Sequence, residues 1–150
     1  RIINTDEKQF SCLTIAGREI RLEPGILAKL STQLEENGVN IEAASTGMDS
    51  VSFFVEDDQA DTANQALHDF VLEKEKISSV TVDDEIGVVR VAGGKLPDRP
   101  GVVRDIVDPL AEANINIHEV VTSASSVIVF VSYELREKAL SIVQENLGDA

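Results

Sequence analysis

Two short motifs contain the residue types needed to bind a small molecule that carries a carboxylate. A Pro-Gly pair precedes a helical pattern at Gly25 and again at Gly101. An asparagine opens the next predicted strand, at Asn40 and at Asn116, and we predict that it lies beside the Pro-Gly loop. A helix N-terminus favours a negative group, and glycine there allows close approach. The asparagine amide can both donate and accept, as an α-amino acid requires. Each motif alone is equally typical of an ordinary helix start or turn.

Both motifs recur because the chain contains an internal repeat of 76 residues. Residues 12–55 align with residues 88–131 without a gap, and thirteen of these 44 positions are identical. Recurrence of both motifs at one fixed spacing strengthens the case for binding. We therefore predict two small modules packed on each other, at residues 1–84 and 85–150.

Hydrophobic periodicity predicts the same order of elements in each repeat. The residues predicted to face inward are Ile26, Leu27, Leu30 and Leu34 in the first helix of one repeat, and Val102, Val103, Ile106 and Leu110 in that of the other. That order is βαββαβ, so the predicted fold is α+β with two ferredoxin-like modules, each an antiparallel sheet with its helices on one face. In the first repeat we predict strand 11–17, helix 25–37, strands 40–46 and 50–56, a helix capped by Asp58, and strand 79–82.

The second repeat stops before its last strand. We predict that Arg1-Ile2-Ile3 folds back to supply it, or that it is absent. Pro109 should bend its helix, because proline removes a backbone hydrogen bond. The elements predicted here are strand 86–92, helix 101–113, strands 115–122 and 127–131, and helix 134–147.

Composition narrows the function classes. The net charge of −14 opposes binding to nucleic acid and to anionic membranes. The one cysteine, Cys12, excludes an internal disulfide and a cysteine-based metal cluster, and it favours a cytoplasmic protein. Nucleotide loops, a GxSxG elbow and an HExxH helix are all missing, so we predict no catalytic residue, metal or cofactor in this stretch.

Several segments resemble the ACT domain family, and more narrowly the paired ACT domains at the C-terminus of aspartate kinases. Residues 16–25 are similar to that family's Gly-x-x-hydrophobic-x-x-x-Pro-Gly segment, and residues 38–42 to its Gly-Ile-Asn-Ile-Glu segment. The pair Ser45-Thr46, strand 51–55 and Ala66-Leu67-His68 also look like family segments, and Asp98-Arg99-Pro100-Gly101 matches a common version of the entry loop.

The resemblance implies feedback control of aspartate-family amino-acid biosynthesis. In this family lysine, threonine or both bind between ACT units, often across a homodimer. Binding would shift a kinase domain of the same parent chain, which uses ATP and Mg²⁺, toward an inactive state. The implied ligand contacts are Ile20, Glu23, Gly25, Ile26, Asn40, Ile41, Ser45 and Thr46 in the first copy, and Asp98, Gly101, Val102, Asn116, Ile117 and Thr122 in the second.

The two copies differ within these segments. Leu22 occupies the position of Asp98, Ala43 is small where the family has a larger apolar residue, and His118 replaces an acidic residue. Two non-equivalent sites are therefore expected. Three alternatives stay open at this point: a stand-alone ACT sensor, the regulatory tail of another amino-acid enzyme, and a dimerisation module without a ligand.

Overall fold

The computed structural model describes residues 2–18, 25–72, 77–93, 101–123 and 125–147, without the side chains of Leu72, Ile77 and Ser78. The chain divides into two compact units. The first unit is Phe10–Asp84, and the second unit combines Arg1–Gln9 with Glu85–Ala150.

Seven strands and four helices are defined within the described residues. Two short 3₁₀ turns, Asp57–Gln59 and Tyr133–Leu135, directly precede the second and the fourth helix. In chain order the strands and helices are β1 (Ile2–Thr5), β2 (Phe10–Gly17), α1 (Ile26–Glu36), β3 (Ala43–Thr46), β4 (Ser50–Glu56), α2 (Ala60–Leu72), β5 (Ile77–Ala92), α3 (Val102–Glu112), β6 (Ile117–Thr122), β7 (Ser126–Ser132) and α4 (Arg136–Leu147).

The strand order confirms the predicted fold class. In the first unit the order is β3–β4–β2–β5, and in the second unit it is β1–β5–β7–β6. The pairings that have a defined register are antiparallel, and equivalent residues pair in both units: Leu13 with Phe53, and Val89 with Val129. Each unit is therefore a ferredoxin-like sheet carrying two helices.

The N-terminal segment supplies the fourth strand of the second unit. β1 pairs with β5 from Ile2 opposite Ala92 to Thr5 opposite Val89. Ile3 packs against the second core, and the Thr5 hydroxyl donates to the Val88 carbonyl at 2.6 Å. These contacts place residues 1–9 with the second unit, whereas the predicted boundary of 1–84 placed them with the first.

Each unit buries one aliphatic core between its sheet and its helices. In α1 the buried residues are Ile26, Leu30 and Leu34, and the equivalent residues of α3 are Val102, Ile106 and Leu110. The inward placement of Leu27 and Val103 was wrong, because these side chains are 38% and 41% exposed. Each follows the first buried residue of its helix and is rotated away from the stripe that repeats every four residues.

Three other predictions also change. The strands predicted at 79–82 and 86–92 form one strand, β5, in which Glu85 has φ 61. Asp58 does not cap α2, because it lies within the 3₁₀ turn and α2 begins at Ala60. The strand predicted from Asn40 begins at Ala43. Helix α3 continues through Pro109 to Glu112.

The helices are 11 to 13 residues long, and none among the described residues is long and apolar enough to cross a membrane.

Candidate functional site

Gly25 and Gly101 begin α1 and α3 in the same backbone conformation. Their φ angles are 76° and 88°, in the left-handed region that favours glycine. A Cβ added to either residue would meet no atom of the described residues within 4 Å. The first backbone N–H groups of a helix have no acceptor within it and are available to an anion.

The residue after each glycine anchors the helix start. Ile26 and Val102 are both 5% exposed and belong to the two cores. The carbonyls of the glycines accept from the N–H groups of Lys29 and Asp105, each at 2.9 Å. The predicted ligand contacts at Ile26 and Val102 are therefore restricted mainly to backbone groups.

The loop after each helix also has the same geometry in both units. Gly38 has φ 76 and Asn114 has φ 60, which are the left-handed conformations that commonly end a helix. The next N–H, from Val39 or Ile115, donates at 3.0 Å to the carbonyl of Leu34 or Leu110. Since Val39 and Ile115 are buried, each loop is fixed on the core.

Asn40 and Asn116 follow these anchors and are both exposed. Among the described residues, a side chain ties this loop in the first unit only. The Gln59 Oε1 accepts from the Asn40 N–H at 3.0 Å, and its Nε2 donates to the Gly38 carbonyl at 3.0 Å. The equivalent of Gln59 is Leu135, which packs on the second core. Sequence reasoning missed Gln59 because its partners lie 19 and 21 residues away.

The strand residues predicted to contact ligand differ in orientation. Ile41 and Ile117 pack against the two cores, which leaves chiefly their backbone for a ligand. Ser45 is half-buried opposite Ser52, while Thr46 and Thr122 are exposed. Ile20, Glu23 and Asp98 lie outside the described residues.

The sheet topology separates two groups that the sequence placed side by side. Gly25 begins α1 and Asn40 lies beyond its end, and 11 helical residues at 1.5 Å each span about 16 Å. β3 and β2 both pair antiparallel to β4, so they run parallel, and Thr46 and Gly17 lie at one end of the sheet. The prediction that Asn40 lies beside the Gly25 loop was therefore wrong. The same holds for Asn116 and Gly101.

A ligand the size of one amino acid cannot span about 16 Å, so a single unit does not offer both the helix start and the asparagine to it. Within the described residues no cluster of His, Cys, Asp or Glu could hold a metal ion. A polar groove does lie between α1 and α2, where Gln33, Asp61 and Asp69 contribute to its lining, but it contains none of the predicted site residues.

The ACT domain family matches residues 6–69 and again residues 81–145. The chain belongs to this family. Its repeat is thus a tandem of two ACT domains. Each match covers most of one unit, except that residues 6–9 lie in the second unit and residues 81–84 in the first. The first ACT domain contains the tied loop at Asn40, and the second contains the untied loop at Asn116.

Aspartate kinases are among the known proteins to which this chain is similar. An aspartokinase of Mycolicibacterium smegmatis is 31% identical over 133 residues, which are 83% of this chain and 31% of that protein. The chain therefore spans about a third of that relative. The solved aspartate kinase of Clostridium acetobutylicum is 25% identical with a TM-score of 0.86, over 96% of this chain and 34% of that one.

A solved regulatory subunit corresponds to this chain over nearly its full length. The ligand-free regulatory subunit of aspartate kinase from Thermus thermophilus has 25% identity and a TM-score of 0.83, and 96% of this chain covers 95% of that subunit. The chain thus resembles the regulatory region of aspartate kinases.

Proposed function

We propose that this chain is the amino-acid-sensing allosteric region of an aspartate kinase, and that lysine or threonine is its effector. The observation that carries the proposal is the full-length correspondence with an aspartate kinase regulatory subunit, together with an ACT match in each unit. The parent enzyme would be a cytoplasmic phosphotransferase that uses ATP and Mg²⁺ in a separate kinase domain.

The proposed site uses a helix start for the carboxylate and an asparagine loop for the ammonium group. The N–H groups beyond Gly25 or Gly101 and the helix dipole favour the carboxylate. The side-chain oxygen of Asn40 or Asn116 accepts from the ammonium, with Glu23 or Asp98 as the charged partner. Lysine ranks ahead of threonine, because its second ammonium suits a chain of net charge −14.

The separation between Gly25 and Asn40 favours a homodimer. Since one unit cannot present both groups to one amino acid, another unit has to supply the missing half of the site, and in the proposed homodimer that unit belongs to a second copy of the chain. β3 and β6 are edge strands of their units, as is β1, so backbone groups for pairing with a second copy are present. Sedimentation equilibrium at micromolar concentration should give the dimer mass; a monomer mass with and without amino acids contradicts this part of the proposal.

Inhibition of the kinase requires that the effector bind one arrangement of the protein more tightly than another. A coupling free energy of about 1–3 kcal/mol is typical of such systems, which corresponds to a change in affinity of about 5- to 150-fold. An effector with equal affinity for both arrangements would bind and leave the activity unchanged.

Titration calorimetry of the 150-residue chain against lysine and threonine tests the proposal. We expect saturable heat with at least one of them, and a loss of that heat in Asn40→Ala, Asn116→Ala or both. Full-length enzyme should be inhibited by the same amino acid. If neither amino acid gives heat or raises the melting temperature at millimolar concentration, and the full-length activity is indifferent to both, the sensing function is wrong.

A stand-alone ACT sensor, or the tail of another amino-acid enzyme, remains the second candidate. Both bind an amino acid through the same residues, so calorimetry does not separate them from the first. The parent gene does, because only an aspartate kinase encodes a kinase nucleotide loop of the Lys-Phe-Gly-Gly-Thr-Ser type upstream of Arg1.

A further inference from the structure

We propose that Gln59 is a positioning residue that fixes the loop carrying Asn40, and that it makes the first unit the tighter of the two amino-acid sites. The proposal rests on the proposed function and adds a difference between the two units. Gln59 itself touches the backbone of the loop rather than the effector.

The side-chain amide of Gln59 holds the loop at two points. Its Oε1 accepts from the Asn40 N–H and its Nε2 donates to the Gly38 carbonyl, both at 3.0 Å. The donor at Asn40 and the acceptor at Gly38 determine which end of the amide is oxygen. Val39 lies between these two points with 5% exposure, so the three consecutive residues 38–40 are fixed from both the core and the surface.

The second unit has the same loop, and no described side chain ties it in this way. Asn114 repeats the left-handed conformation of Gly38, and Ile115 repeats the burial of Val39. Leu135 occupies the last position of its 3₁₀ turn, as Gln59 does, but its side chain has no donor or acceptor. The two loops therefore have the same backbone conformation. Among the described residues, only the first loop has this pair of hydrogen bonds from a glutamine side chain, which we call the clamp.

Glycine at position 38 increases the importance of the clamp. Glycine reaches many more backbone conformations than asparagine, so an untied loop at Gly38 would lose more freedom when an effector orders it. A loop that is already held in the binding conformation avoids that loss, which raises affinity without a new contact to the ligand. We therefore assign the higher affinity to the loop at Asn40.

The experiment compares Gln59→Leu with the unaltered chain in an Asn116→Ala background, so that only the first site contributes. The leucine reproduces the residue of the second unit and removes both hydrogen bonds. We expect the affinity for lysine or threonine to fall by about fivefold or more, since one hydrogen bond typically contributes about a factor of five. Gln59→Glu keeps the acceptor for Asn40 and should lose less.

A matched control is Gln65→Leu, because Gln65 is an exposed glutamine on α2 whose side chain bonds Asp69 at 2.9 Å, away from the loop. This variant should leave the affinity unchanged. Hydrogen exchange of the Asn40 amide, followed by NMR without ligand, should be faster in Gln59→Leu and unchanged in Gln65→Leu. A merely structural contribution would instead lower the melting temperature and leave the affinity unaltered.

The outcomes separate the two proposals. Binding by the unaltered chain with equal affinity in Gln59→Leu overturns the positioning role and leaves the sensing function intact. Unchanged exchange at Asn40 overturns the clamp itself, whether or not an amino acid binds. If the unaltered chain binds neither amino acid and the full-length activity is indifferent to both, the sensing function is wrong, and the proposed affinity difference is wrong as well.

Discussion

The two ACT units share their turns but differ in what surrounds the equivalent positions Ser11 and Gly87. Ser11 is fully buried, and its Oγ lies 2.6 Å from the Asp57 Oδ1 and 3.0 Å from the Asp84 Oδ1. Gly87 is buried beneath Tyr133 and Arg136. One unit thus has a hydroxyl among carboxylates where the other has an aromatic ring and a cation.

Glycine at position 87 allows this second arrangement. The Arg136 guanidinium lies 3.7 Å from the centre of the Tyr133 ring, and its Nη1 donates to the Tyr133 carbonyl at 3.0 Å. The Tyr133 hydroxyl donates to the Glu7 carbonyl, and Asp6 pairs with Arg90 at 3.4 Å. The second unit uses these residues to hold the N-terminal segment. The two units therefore differ at the place where the second unit holds the N-terminal segment.

The largest expected effect tests whether the two cores are equivalent. Leu34 and Leu110 occupy the same position of α1 and α3 and are both 0% exposed. Leu34→Ala and Leu110→Ala should each lower the free energy of unfolding by about 3 kcal/mol, because each leaves a cavity. Urea denaturation followed by circular dichroism measures both. A difference above about 2 kcal/mol between them would show that one unit repacks and the other does not.

The next effect is specific to the second unit. A Cβ at position 87 would lie 2.9 Å from the Arg136 Cβ and 3.1 Å from the Tyr133 Cα, so Gly87→Ser should lower the free energy of unfolding by about 2 kcal/mol. The reciprocal Ser11→Gly should cost about 1 kcal/mol through its lost hydrogen bonds. Thermal unfolding checks both, and a neutral Gly87→Ser would mean that the Tyr133–Arg136 pair moves freely.

A symmetric effect is expected at the helix starts. An alanine Cβ at Gly25 or Gly101 would meet no atom of the described residues within 4 Å, so we expect each substitution to cost about 1–2 kcal/mol through the left-handed backbone. The two melting temperatures should fall by similar amounts. Gly38→Asn introduces the residue found at position 114 and should change stability by less, since asparagine tolerates this conformation. Unequal losses at Gly25 and Gly101 would show that the two helix starts are not equivalent.

The smallest effect concerns a surface pair that only α3 has. Arg104 and Asp108 approach to 3.2 Å and are mostly exposed, and the equivalent residues of α1 are Ala28 and Thr32. Arg104→Ala should cost about 0.3–0.5 kcal/mol at low salt and nothing measurable at high salt. A cost that persists in high salt would indicate that packing, rather than charge, is lost.

Sequence periodicity was sufficient for the fold class, because strands and helices repeat their apolar residues with periods of about two and 3.6. It correctly predicted that Leu30 and Leu34 are buried. It wrongly predicted that Leu27 faces inward, because Leu27 directly follows the buried Ile26 and is itself exposed. It found Gly25 and Asn40 as a recurring pair but set them side by side, because their separation depends on which way β3 runs in the sheet. The Gln59 tie depends on contacts between distant residues, which a local pattern does not contain.

The pairing of β1 with β5 has a consequence for the order of folding during synthesis. The first unit is continuous in sequence, so its own strands are all present once residue 84 has left the ribosome. β1 is made earlier, but the carbonyl that accepts from its Thr5 lies 83 residues further along the chain. Contacts of such long sequence separation form late because the closure of a large loop is costly. β1 therefore stays unpaired while the first unit folds. Because it has only four residues, it exposes few unpaired backbone N–H and C=O groups to other chains during that time.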